Sequence, residues 1–317
     1  MGLLSSLFGG NKKDESNEQE KQEKKNFEIL KYDGIRARNI HQLPYAIKCF
    51  EEATALKEDT ETMELLAASY IQTGKTDEAR TVYNRLTELE PENTKILLSL
   101  AGVCFIQEDY STMKEVCNKA IAIDDKNKAA FYLAAKAAMG IKDYIQAIVM
   151  LTKAIALDED FKDAYQLRAE VLWSMRQAKE AIDDLDVILS KESDDEDALV
   201  LKGEICAATG KQEEGISYLD KVLSMNPFNE KAYIIKGTVL LESKEFDKAI
   251  AVYDEALELS PENAKLYQER GRVKLLKGDK DGSVEDLKKA IELNPESENL
   301  INGNYNNFSQ ENKVGIY

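Results

Sequence analysis

Small residues return at a fixed interval along this chain. Steps of 34 residues back from Gly271 meet Gly237, Gly203, Ala169, Ala135, Ala101 and Ala67, and one residue short of the next step stands Gly34. Four residues before the regular members lie Tyr267, Tyr233, Leu199, Tyr165, Phe131, Leu97 and Met63, a large apolar column. A second small column, Ala249, Ala181, Ala147, Ala79 and Ala46, is followed four residues on by Tyr253, Leu185, Leu151, Tyr83 and Phe50, with Leu219 in the same series. Small and large apolar side chains at this spacing predict two amphipathic helices per interval, packed face to face, with the small residue admitting the partner helix. Turns are expected at Thr73-Gly74-Lys75, Thr209-Gly210-Lys211 and Lys277-Gly278-Asp279. Pro91, Pro227, Pro261 and Pro295 keep the same rhythm. Proline lacks the helical donor and clashes with the preceding turn, so each marks where one helix stops and the next begins.

These columns carry a resemblance to a known family. Tyr233, Gly237, Ala249, Tyr253, Ala256 and Pro261 follow the pattern of the tetratricopeptide repeat almost completely. Met113, Gly215 and Ser283 replace the usual alanine, and Ile188 and Val222 replace another, which reads as altered packing within intact repeats. The resemblance implies an all-α fold, an α-α superhelix (TPR solenoid) of about eight 34-residue helix–turn–helix repeats over residues 27–295. Residues 1–26 then form a flexible N-terminal segment and residues 296–317 a C-terminal capping segment or tail.

The resemblance also implies a scaffold that binds a protein or peptide partner along a concave groove lined by the first helix of each pair. The places usually facing such a groove hold Phe105, Tyr132, Lys136, Met139, Gln166, Glu170 and Trp173, and farther on Glu204, Ile234, Leu241 and Arg272. Trp173, the single tryptophan, stands outside the large packing column. It reads either as a binding anchor, because tryptophan and tyrosine dominate interface energetics, or as half-buried packing against the next helix. One use of the family, a clamp of lysines, arginine and asparagines around a terminal carboxylate, does not match. The corresponding places hold Lys31 with Ile35, Leu65, and Lys95 with Ser99, which cannot build the charge-assisted fork.

Charge narrows the partner. The net charge of −17 argues against nucleic acid, whose phosphates it would repel. Fourteen acidic and five basic side chains fall within residues 158–197, around Trp173 and through the turn at 192–197. Most of this reads as a solvated face, yet an acidic rim beside an aromatic anchor would favour a peptide with basic flanks.

Chemistry is not indicated. The single histidine, His41, has no ligand at metal spacing, no glycine loop cradles phosphate, and no nucleophile–base arrangement is marked. The expectation is a non-catalytic chain without metal or cofactor. Cys49, Cys104, Cys117 and Cys206 fall in the apolar columns and read as buried, reduced thiols in a cytoplasmic protein, with Cys104 and Cys117 close across one helix pair.

The ends differ from the repeats. No apolar run reaches the length of a membrane span, and the apolar stretch at residues 3–8 is too short for a secretory signal. Met1-Gly2-Leu3-Leu4-Ser5-Ser6 fits an N-myristoylation pattern, which leaves a membrane-associated structural adaptor, held by this segment, as a second reading. Residues 11–25 balance five lysines against five acidic residues and read as a mobile tether. Leu300, Ile301, Tyr305 and Phe308 suggest that the tail covers the last repeat. Asp286, where the preceding repeat has Val252, reads as a polarised outer face.

Overall fold

The computed structural model describes residues 11–295, and every regular element in that range is an α-helix. The helices are α1 (Asn11–Asn39), α2 (Leu43–Leu56), α3 (Thr60–Gln72), α4 (Thr76–Leu89), α5 (Thr94–Ile106), α6 (Tyr110–Ile123), α7 (Lys128–Gly140) and α8 (Tyr144–Leu157). They continue with α9 (Lys162–Ser174), α10 (Ala178–Lys191), α11 (Glu196–Ala208), α12 (Gln212–Met225), α13 (Glu230–Glu242), α14 (Phe246–Leu259), α15 (Ala264–Lys277) and α16 (Lys280–Leu293). Eight first-and-second helix pairs result, as the columns predict. The chain divides within α9 into two compact units, Met1–Ala164 and Tyr165–Tyr317.

The local reasons for these boundaries repeat. First helices open on a side-chain cap: Asp59, Asn93, Asn127, Asp195, Asn229 and Asn263 each accept bonds from amides of the first turn, satisfying donors the helix cannot. Pro91, Pro227 and Pro261 sit two residues ahead of such a cap, just beyond the end of the preceding second helix. The small column is buried throughout, from Ala67 and Ala101 in the first unit to Gly203, Gly237 and Gly271 in the second. Contact there is close: a Cβ on Gly237 would lie 2.3 Å from the ring of Tyr253, and one on Gly34 would lie 2.5 Å from the ring of Phe50.

The turn inside each pair carries a cost that recurs at one register position. Gly74, Glu108, Lys142, Arg176, Gly210, Lys244 and Gly278 all have positive φ, between 56° and 99°. Glycine adopts this conformation without steric penalty, whereas a side chain costs about 1–2 kcal/mol. Exposed Lys244, with φ 61°, is therefore strained. Lys244→Gly is expected to raise stability by up to about 1 kcal/mol, while Lys244→Ala stays within about 0.5 kcal/mol of the native chain. Thermal melts of the two variants decide this; a Lys244→Gly chain melting no higher than Lys244→Ala refutes it.

The two units bind their repeats together differently. At one register position the first helices of the first unit carry Leu66, Leu100 and Ala134, all buried. The second unit has Arg168, Lys202, Lys236 and Arg270 at the same position. Lys202 pairs with Asp186, Lys236 with Asp220 at 2.6 Å, and Arg270 with Asp254 at 2.5 Å, each acid lying on the second helix of the preceding repeat. Arg168 also takes Asp184 of its own repeat in a two-pronged bond, at 2.8 and 2.6 Å. Arg270 does the same with Asp286, at 2.9 and 2.6 Å, and Lys274 adds a third contact to that carboxylate at 2.8 Å. Bonding to Asp184 and Asp286 respectively raises the pKa of Arg168 and Arg270 against the opposing effect of burial.

Two expectations are corrected. Asp286 does not polarise an outer face; it is 2% exposed and gathers Arg270 and Lys274. The stretch read as a mobile tether is helical from Asn11 onward, continuous with the first repeat. Its lysine, glutamate and glutamine are strong helix formers, and Gln22 donates to Asn26 one turn on. The apolar segment at 3–8, the acylation pattern and the tail from Leu300 to Phe308 lie outside the described residues. Among the described residues no helix is long and apolar enough to cross a membrane.

Candidate functional site

Most of the residues singled out in the sequence fall into two groups, one in each unit. In the first unit, α5 presents Phe105, 36% exposed, with its ring edge-on to Tyr110 at 6.1 Å. From α7 the Lys136 ammonium lies 3.8 Å from the Phe105 ring centre and 5.9 Å from that of Tyr132. No carboxylate among the described residues bridges to Lys136; its charge rests against two aromatic faces, an arrangement worth about 0.5–2 kcal/mol. Gly102, one turn before Phe105, has open space where a side chain would stand. Half-buried Met139 completes the α7 face.

One member of this patch escaped the sequence reading. Phe161 packs on Tyr132 with ring centres 5.2 Å apart, and the Lys128 ammonium lies 5.0 Å from its ring. Its register position is the capping column: other repeats carry Asp59, Asn93, Asn127, Asp195, Asn229 and Asn263 there. A phenylalanine side chain offers the α9 amides no acceptor, so this position cannot supply the cap, worth about 1 kcal/mol, that its equivalents supply. Aligning the turns as well as the helices would have exposed the anomaly.

In the second unit, half-buried Trp173 on α9 donates its indole N–H to Glu204 on α11 at 3.0 Å, and the Arg176 guanidinium lies 5.7 Å from its ring. Gln166 donates to Glu170 at 3.1 Å, while its own Oε1 is buried with no donor. Glu204 thus accepts from the indole and Glu170 from Gln166, both of them neutral donors. Ile234 is half-buried, its carbonyl accepting from the Tyr253 hydroxyl at 3.3 Å. Arg272 pairs with Glu269 at 3.6 Å.

Leu241 has no place on the surface. It is 9% exposed and belongs with Tyr233, Leu240 and Val273 to the apolar core of the second unit. Two carboxylates of the acidic turn at 192–197 are likewise committed within the fold. Asp195 caps α11, and Glu196 accepts from both Asn226 at 2.9 Å and Asn229 at 3.0 Å, tying one repeat to the turn of the next.

The four cysteines are buried and unbonded to each other. Burial, with a smaller contribution from Cys104, pushes the Cys117 thiol up to about 12, and burial also raises Cys104 and Cys206. Thiols so placed are poor nucleophiles at neutral pH. Among the described residues no group of histidine, cysteine and carboxylate side chains is arranged to hold a metal ion.

Three family models match the chain. Two are described as tetratricopeptide repeat, over residues 65–127 and 264–297, and the third as the N-terminal TPR repeats region of Psidin, over residues 171–270. Solved structures are similar as well. A tetratricopeptide repeat protein from Parabacteroides merdae is 17% identical, with a TM-score of 0.64 over 77% of this chain and 96% of that one. PilW, described as a widely conserved type IV pilus biogenesis factor, is 17% identical, with a TM-score of 0.57 over 65% of this chain and 95% of its own. PilF of Pseudomonas aeruginosa is 14% identical, with a TM-score of 0.53 over 67% and 96%. At these identities the likeness is one of fold. No curated protein matches the chain.

Proposed function

We propose, from the premise that this chain belongs to the tetratricopeptide-repeat family, that it is a non-catalytic scaffold binding a protein or peptide partner on the faces of its first helices. The observation that carries the reading is Phe161. The capping column here holds an aromatic ring that packs on Tyr132, itself beside the Lys136 ammonium. Departures from local rules concentrate where a protein meets its ligands. The first-unit patch would take apolar or aromatic side chains between Phe105 and Tyr132.

The second-unit patch supports a partner with basic flanks. Glu204, bonded to the Trp173 indole, and Glu170, three residues before Trp173 on α9, offer acceptors, and a partner's lysine or arginine would replace the neutral donors with charge-assisted bonds. Glu196, already bonded to two asparagines, would contribute through the fold and not as a free rim. The buried thiols with raised pKa support the non-catalytic side of the reading.

The test is a titration of a partner captured on the purified full chain. Phe161→Asn restores an acceptor worth about 1 kcal/mol and loses an aromatic pair worth about 0.5–1.5 kcal/mol. Its melting temperature is therefore expected to stay close to that of the native chain while binding weakens. Trp173→Ala is expected to weaken binding by about 2 kcal/mol with the fold intact. Undiminished binding by both variants would remove the two patches as the partner site.

A further inference from the structure

The second helix of the fourth repeat breaks the outer-face polarity that α6 and α10, the second helices of the adjoining repeats, keep. On α8, Ile145 is 69% exposed and Val149 is 42% exposed, and Ile141, 42% exposed, lies in the turn below them. The places equivalent to Ile145 in the second, third and fifth to eighth repeats hold Asp77, Ser111, Lys179, Glu213, Asp247 and Asp281. Those equivalent to Val149 hold Thr81, Glu115, Asp183, Ser217, Ala251 and Glu285. The stripe continues through exposed Thr152 and Ala156, so its spacing of four, three and four residues is that of a seam facing another helix. A helix apolar on its outer side as well as its core side is normally covered.

We infer that α8 pairs antiparallel with α8 of a second copy of this chain. Self-complementarity argues for that occupant. With the two-fold axis between Val149 and Thr152, Ile145 of one copy meets small Ala156 of the other, and Val149 meets Thr152. The same register brings Lys142, before α8, opposite Glu159, beyond its end. A parallel pair would instead oppose Lys142 to Lys142, and antiparallel helices also align their dipoles favourably. The stripe is smaller than the roughly 800 Å² per partner of a standard interface, so the association is weak and concentration-dependent. It is separate from the partner site and survives Trp173→Ala.

Sedimentation equilibrium of the full chain, from about 5 to about 500 μM at low salt, tests this over the range a small interface reaches. The expected result is a monomer–dimer equilibrium that Ile145→Glu weakens at least about tenfold, with an unchanged circular dichroism spectrum because Ile145 is exposed. Lys142→Glu and Glu159→Lys are each expected to weaken the dimer several-fold, and the double variant to restore it, as complementary charges do. A chain monomeric throughout, a dimer indifferent to Ile145→Glu, or a double variant no better than the singles would each overturn the inference. So would a monomer whose Ile145→Glu variant loses a different protein, since that partner would then be the occupant.

Discussion

Gly215→Ala is expected to destabilise the protein, although alanine is what the same column carries at Ala79, Ala147, Ala181 and Ala249. Glycine within a helix costs about 1 kcal/mol relative to alanine, so a substitution toward the commoner residue would ordinarily help. Here α11 and α12 meet through two glycines, Gly203 and Gly215. A Cβ on Gly215 would lie 2.5 Å from the Gly203 carbonyl oxygen and 2.8 Å from the Ala207 backbone nitrogen. These are backbone atoms and no rotamer relieves them; the helices must separate. Overpacking of this kind costs about 1–3 kcal/mol, which exceeds the helical gain and leaves a net loss of up to about 2 kcal/mol. Denaturant melts measure it. A Gly215→Ala chain as stable as the native one would mean that the close approach is absent.

Asp286→Ala is expected to cost more, about 3–5 kcal/mol, the range for removing one partner from a buried ion pair. The Asp286 side chain is 3% exposed and holds two cations that are themselves only 17% exposed, Arg270 and Lys274. Without it Arg270 retains Asp254, but Lys274 loses its carboxylate. Asp254, 49% exposed, is the contrast: Asp254→Ala removes a surface partner and is expected to cost less than about 1 kcal/mol. Equal losses for the two substitutions would show that burial does not govern this cluster. A triple change of Arg270, Lys274 and Asp286 to apolar residues is expected to be less damaging than Asp286→Ala alone, because it strands no charge.

The apolar columns made the helix pairs legible because each repeat must bury the same two faces. Gly237 against Tyr253 and Gly34 against Phe50 realise that reading in atoms. What the columns could not convey was the use of charged residues inside the fold. Asp286, Glu196 and Arg168 read in sequence as solvated charge. Their partners Arg270, Asn229 and Asp184 lie on other helices or in the next turn, outside any single helix's periodicity. The patches were partly legible: Phe105, Tyr132 and Lys136 come together as their first-helix register implied. Phe161 was missed because it lies in a turn, where apolar periodicity carries no signal. Leu241 was misplaced because a register position facing the groove in one repeat is buried in another.

The cation column of the second unit also bears on how a chain of similarly shaped repeats avoids assembling in the wrong order. Repeats that resemble one another invite misdocking and swapping during folding. If a first helix bearing Lys202 or Lys236 settled against a repeat of the other kind, its ammonium would face a surface shaped for Leu66 or Leu100, without Asp186 or Asp220 to receive it. An ion stranded in this way costs several kcal/mol, comparable with the whole margin by which a native domain is favoured. A run of apolar seams followed by a run of ionic ones therefore gives the repeats of each unit a common address, and the correct neighbour of a cationic helix is one that answers its charge.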